Sequence, residues 1–178
     1  RLSTHKKYDE AQAILAGNSL LTMGFNLLSQ DSNPALVKLL SLLSGHEGLA
    51  GGQSLDIDTI EKKLNYKIIK KIHEQKTARL FEFCLAAPFI ISNKSQREIN
   101  LSRKYGKIIG TIFQIIDDVH DYENKDNEYI NILNVMTKDD ALEKCYRYEA
   151  EANSLREKLL PNKKNRMNDI LSFIINRK

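Results

Sequence analysis

Ile108-Ile109-Gly110-Thr111-Ile112-Phe113-Gln114-Ile115-Ile116-Asp117-Asp118-Val119-His120-Asp121 is the stretch on which the reading of this chain turns. Ile108, Ile109, Ile112, Phe113, Ile115, Ile116 and Val119 cover most of a helical circumference, the pattern of a helix buried on most sides. Gln114, Asp117, Asp118 and Asp121 stand at i, i+3, i+4 and i+7, so one amide and three carboxylates share the remaining face. Like charges at this spacing repel, and a bound cation offsets that repulsion. Carboxylate oxygens are hard ligands suited to Mg²⁺, which takes one or two carboxylates and completes its octahedron with water and substrate phosphate oxygens. The face therefore reads as a diphosphate and magnesium site. The competing reading is an acidic helix end facing solvent.

Outward from this stretch the same period continues. Strand-like alternation is nearly absent, and 3 prolines and 8 glycines leave few forced turns, so the expected class is all-α. The spacing predicts helices over about 8–29, from Pro34 into the Gly-rich stretch Gly48 to Gly52, over 67–91, 96–122 and 138–160, and a short one over 168–177. Turns are expected at Ser29 to Pro34 and at the basic stretch Pro161 to Arg166. No internal repeat is visible. The 178 residues suffice for one sizeable core and are short for two, so residues 1–178 are expected to form a single helical domain.

Composition narrows the class further. With 42% hydrophobic and 28% charged residues the chain is in the ordinary soluble range, and no apolar run approaches the roughly 20 residues of a membrane span. Neither an initiator Met nor a signal-peptide pattern stands at the N-terminus, which reads as a cut. Cys84 and Cys145 form no Cys-x-x-Cys pair and make neither a disulfide framework nor a zinc site, which fits a reducing, cytoplasmic compartment. The net charge of +4 comes from Lys and Arg spread along the chain, which suits small anions as readily as nucleic acid and singles out no nucleic-acid surface.

Two further features carry possible chemistry. Lys76-Thr77 falls on an otherwise apolar stripe with Ile69, Ile72, Leu80 and Phe83. A lysine there either finds an anion or packs its stem while the ammonium reaches water. Gly51-Gly52-Gln53-x-x-Asp56 combines glycines that permit close backbone approach with a polar pair. His5, His46, His73 and His120 show no ligand spacing and are expected to be surface or packing residues. No Ser-His-Asp arrangement supports nucleophilic catalysis.

Taken in order, these segments resemble the trans-isoprenyl diphosphate synthase (polyprenyl synthetase) family over nearly the whole chain. Arg1-Leu2-Ser3-Thr4-His5-Lys6-Lys7-Tyr8 is similar to the segment that follows the family's first aspartate-rich motif. Glu10-Ala11-Gln12-Ala13-Ile14-Leu15-Ala16-Gly17-Asn18-Ser19-Leu20-Leu21 is similar to its Glu-Ala-x-Ala-Ile-Leu-Ala-Gly-Asp-Ala-Leu-Leu. Gly51-Gly52-Gln53 with Asp56, His73-x-x-Lys76-Thr77, and Phe113-Gln114-x-x-Asp117-Asp118-x-x-Asp121, the second aspartate-rich motif, complete the set. The ending Ile174-Ile175-Asn176-Arg177-Lys178 resembles that of bacterial farnesyl diphosphate synthases.

The resemblance implies the C-terminal portion of an isoprenoid-synthase-type helical bundle. It implies a prenyltransferase that condenses an allylic diphosphate, dimethylallyl or geranyl, with isopentenyl diphosphate to a short-chain product such as farnesyl diphosphate. The cofactor implied is Mg²⁺, held by Asp117, Asp118 and Asp121. Lys76 is then the allylic diphosphate ligand, Thr77 and Gln114 place the diphosphate and the reacting carbon, and Lys125 is a second diphosphate-binding lysine. A homodimer is implied as well. The sequence departs from the family pattern in lacking the first aspartate-rich motif and the arginine after it. It also carries Asn18 for Asp and His120 for Leu, and has a shorter stretch from Glu123 to Tyr129. These departures leave a non-catalytic partner subunit as the alternative. A helical terpene cyclase is a third reading, against which Lys76-Thr77 and Gly51-Gly52-Gln53 stand.

Overall fold

A computed structural model describes residues 2–30, 33–59, 63–123, 130–161 and 166–176. Lys125, the rest of 124–129, and 162–165 of the expected basic loop lie outside the described residues. Among the described residues the secondary structure is helical throughout, with no strand, as the periodicity predicts. None of these helices is long and apolar enough to cross a membrane. The chain divides into two compact units, Arg1–Leu40 and Ser41–Lys178.

The first unit holds α1 (Thr4–Lys7), α2 (Glu10–Ser29) and the start of α3 (Pro34–Ser44). The expected single helix from Tyr8 is delayed to Glu10 because Asp9 is extended and its carboxylate accepts from Gln12 N at 2.7 Å, an N-cap that sets the first turn. Leu36, Leu39 and Leu40 of α3 are buried. On α2, Phe25 and Leu28 are half-buried, whereas Ile14 and Leu21 are 65% and 46% exposed.

The second unit contains α4 (Leu49–Thr59), α5 (Tyr66–Ile72), a π-helical segment (His73–Ala78), α6 (Arg79–Ile91), α7 (Gln96–Glu123), a 3₁₀ turn (Ile132–Asn134), α8 (Lys138–Leu159) and α9 (Met167–Ile175). Two sequence expectations change here. The Gly-rich stretch does not close the second helix but opens α4. The helix expected over 67–91 is continuous in course but interrupted by the π-helical segment. This widened turn shifts the phase of the apolar stripe, so Ile72 is buried at 2% exposure while Leu80 lies 48% exposed.

Helix α7 is the centre of this unit. Tyr105, Ile108, Ile109, Ile112, Ile115, Ile116 and Val119 are all buried, packed with residues of α5, α8 and α9. Its start is a capping box in which Ser95 N donates to Glu98 Oε2 at 2.9 Å and Glu98 N donates to Ser95 Oγ at 3.3 Å. Gly110 lets it approach the π-helical segment, since a Cβ there would meet Ala78 Cα at 2.5 Å. Gly52 does the same for α4, where a Cβ would meet Lys76 N at 2.3 Å. The π-helical segment is thus held against α4 on one side and α7 on the other.

Candidate active site

The π-helical segment presents successive residues to different neighbours. Lys76 Nζ lies 2.7 Å from Asp56 Oδ2 on α4, and Gln53 Nε2 donates to the same oxygen at 3.3 Å. Thr77 Oγ1 donates to Gln114 Oε1 on α7 at 2.7 Å. Gln114 Nε2 in turn donates to Asp118 Oδ1 at 2.9 Å, one helical turn on. Thr77 and Gln114, both chosen from sequence, therefore form one connected polar chain with Asp118, while Lys76, the neighbouring residue of the same segment, pairs separately with Asp56 on α4. Widened π turns occur often at functional sites.

The three aspartates differ. Asp117 and Asp121 are half-buried, whereas Asp118 is only 1% exposed. Both oxygens of Asp118 face protein groups: Oδ1 accepts from Gln114, while Oδ2 accepts from Ile132 N at 2.7 Å and lies 3.1 Å from His73 Nε2. Among the described residues no group of three or more His, Cys, Asp or Glu side chains is placed to hold a metal ion by itself. Asp117 and Asp121 nonetheless offer the one or two hard carboxylates that Mg²⁺ takes from protein when substrate phosphates supply further oxygens. The donor set fits magnesium on that condition.

Sequence reasoning overlooked two members of the network. His73, expected at the surface or in packing, is 4% exposed and stands against Asp118; its place three residues before Lys76 was the available signal. Asn131 is 3% exposed and donates from Nδ2 to the Asp118 backbone carbonyl at 2.7 Å, a contact across 13 residues that no local pattern announces.

An ionic layer lies beside the site. Burial works to raise the Glu74 carboxyl, but the Lys107 and Lys70 ammonium groups, 2.9 and 3.4 Å away, together outweigh it and hold it below its usual value. Glu82, 4% exposed, is bound by Arg79 Nη1 at 2.8 Å and Arg103 Nη2 at 2.7 Å, which pins α6 to α7. The rings of Phe81 and Phe113, 5.3 Å apart, add an apolar contact between the same helices next to Gln114.

The chain is similar to known proteins over most of its length. It is 34% identical over 134 residues to the farnesyl diphosphate synthase of Bacillus subtilis, an alignment covering 71% of this chain and 45% of that protein. The crystal structure of geranyltransferase from Helicobacter pylori superposes with a TM-score of 0.85 at 28% identity, covering 98% of this chain and 62% of that one. A second structure of the H. pylori geranyltransferase, complexed with magnesium and isoprenyl diphosphate, gives a TM-score of 0.77 at 26% identity, covering 99% of this chain and 62% of that one. The chain thus spans less than half the length of the curated B. subtilis relative. The polyprenyl synthetase family model matches residues 1–148, and with the helical architecture and the Thr77–Gln114–Asp118 chain beside Lys76 it follows that this chain belongs to the polyprenyl synthetase family.

Proposed function

We propose that the chain supplies the second aspartate-rich half of a magnesium-dependent trans-prenyltransferase. The reaction condenses dimethylallyl or geranyl diphosphate with isopentenyl diphosphate to a short-chain product of the farnesyl type, in a cytoplasmic homodimer. The observation that supports this reading is the double attachment of the π-helical segment, which pairs Lys76 with Asp56 on α4 and joins the adjacent Thr77 to the acidic helix through Gln114.

In the reaction the C–O bond to the diphosphate breaks with its electron pair on the leaving group. The resulting allylic cation alkylates the isopentenyl double bond, and a proton is then lost. Lys76 binds the departing diphosphate through charge-assisted hydrogen bonds, and to do so it must share or release Asp56. The single hydrogen of Thr77 is committed to Gln114, so its oxygen acts as an acceptor and favours positive charge on the allylic carbon. Gln114 can offer that carbonyl because its amide nitrogen is turned to Asp118 Oδ1. Phe81 and Phe113 add apolar surface that excludes water from the cation. Asp117 and Asp121 are the residues that would hold magnesium, and Lys125 a second contact to diphosphate. Magnesium, when bound, neutralises the diphosphate charge as a Lewis acid.

The test is prenyl transfer by the full-length gene product, with geranyl diphosphate and labelled isopentenyl diphosphate, with and without Mg²⁺. Magnesium-dependent product that Asp117→Ala abolishes supports the enzyme. No product from folded protein, with activity restored only by a second synthase chain, supports the partner-subunit alternative instead.

A further inference from the structure

Two parts of the chain distant in sequence converge on Asp118 beside its own helix neighbour Gln114. His73 opens the π-helical segment, Gln114 precedes Asp118 by one turn of α7, and Asn131 and Ile132 belong to the segment that follows that helix. Asn131 is bound at both ends: its Nδ2 donates to the Asp118 carbonyl at 2.7 Å, and its Oδ1 accepts from Leu133 N at 2.9 Å to cap the 3₁₀ turn. Asp118, His73 and Asn131 are exposed by 1%, 4% and 3%. A carboxyl group so enclosed is tolerated only when its oxygens are engaged, and each partner removed leaves a buried polar atom less well satisfied.

We infer that His73 is a positioning residue, whose imidazole Nε2 steadies Asp118 Oδ2 and thereby fixes the orientation in which Gln114 meets Thr77. With Oδ2 shared between His73 Nε2 and Ile132 N, the plane of the carboxylate is set and Oδ1 is turned to the Gln114 amide nitrogen. Gln114 then has only its carbonyl left for Thr77, and the Thr77 hydroxyl must donate. Without His73 the carboxylate is held on that side by one backbone amide and can rotate. The Gln114 amide is then free to turn over, and Thr77 loses the fixed donor role that leaves its oxygen an acceptor. His73 does not touch the reacting atoms in this scheme; it acts through Asp118. Lys76 pairs with α4 and is not a member of this relay, so diphosphate binding is expected to survive the loss of His73.

The consequence for turnover rests on the prenyltransferase reading, whereas the consequence for structure does not, and the experiment reads both. The variants are His73→Phe, which keeps bulk and removes the polar contact, and His73→Gln, whose amide nitrogen reaches about as far as imidazole Nε2. In the full-length gene product, His73→Phe is expected to lower kcat about tenfold, the scale of one polar contact to a buried group. KM for the allylic diphosphate should stay within about twofold, and His73→Gln should recover most of the loss. Amide hydrogen exchange at Ile132 and Leu133 should quicken in His73→Phe and return toward normal in His73→Gln. An unchanged kcat in His73→Phe, a loss confined to KM, or a His73→Gln variant no better than His73→Phe overturns the inference. Where the parent protein shows no prenyl transfer, the proposed function fails and exchange alone decides. Faster exchange reversed by glutamine upholds the brace, and unaltered exchange overturns it.

Discussion

Lys76 Nζ stands 2.7 Å from Asp56 Oδ2, so the lysine singled out as a diphosphate ligand is already paired with an anion on α4. Both side chains are partly open to solvent, at 34% and 18% exposure, which makes the pair exchangeable. Lys76→Ala is expected to weaken inorganic diphosphate binding about tenfold or more, the loss of one charge-assisted interaction. Asp56→Asn removes the competing carboxylate and should tighten binding about threefold, on the scale of a partly exposed ion pair. Titration calorimetry with diphosphate and Mg²⁺ checks both, and weaker binding in Asp56→Asn would show that the carboxylate orients Lys76 more than it competes for it.

Glu82 differs from the surface pairs by its burial. Its carboxylate is 5% exposed and bound by Arg79 and Arg103, whereas Glu143 and Arg147, one turn apart on α8, are 61% and 74% exposed. Glu82→Ala should cost roughly 2–3 kcal/mol, somewhat below the loss for a fully buried pair because both guanidinium groups retain some solvent. Arg147→Ala should change stability by less than about 0.5 kcal/mol. Urea denaturation midpoints compare the two, and similar small effects would mean that water replaces Glu82 readily.

The depressed Glu74 carboxyl gives a pH dependence of defined sign. A carboxyl held below the ordinary value of 4.5 binds fewer protons folded than unfolded. Its stabilisation is therefore complete above that value and disappears as pH falls through the folded pKa. Glu74→Gln should be less stable than the parent at pH 7, and the gap should close as the solution is made more acidic than about pH 4. A gap that is constant across this range would remove Lys107 and Lys70 as its cause.

The two thiols should report different depths. Cys145 is 1% exposed and burial, with a smaller contribution from the Glu149 charge, pushes its thiol up to about 12. Cys84 is exposed, although partial burial raises its thiol as well. A thiol reagent at pH 8 should label Cys84 in the native protein and Cys145 only as the protein unfolds, because the thiolate is the reactive form. Equal native labelling of both would place α8 less tightly against α7 than the packing implies.

Much of this site is legible in the sequence for a common reason. Helical period is a local property, so the apolar circumference of α7 and the shared face of Gln114, Asp117, Asp118 and Asp121 follow from residue order alone. The pairing of Lys76-Thr77 with that face required the resemblance of the ordered motifs. The π-helical segment His73–Ala78 was not legible, because its six residues carry no distinctive composition and the widened turn depends on packing between α4 and α7.

The sequence by itself determined that the chain is helical and where α7 runs, and it singled out the acids, lysine and hydroxyl to which the proposed chemistry is assigned. Only the tertiary structure decided how Asp118 differs from Asp117 and Asp121, and that His73 and Asn131 belong with it. Residues one or two turns apart on a helix are placed by the chain's own geometry. The partners of Asp118 at 73, 131 and 132 reach it through the packing of separate segments, and burial then fixes which oxygen meets which donor.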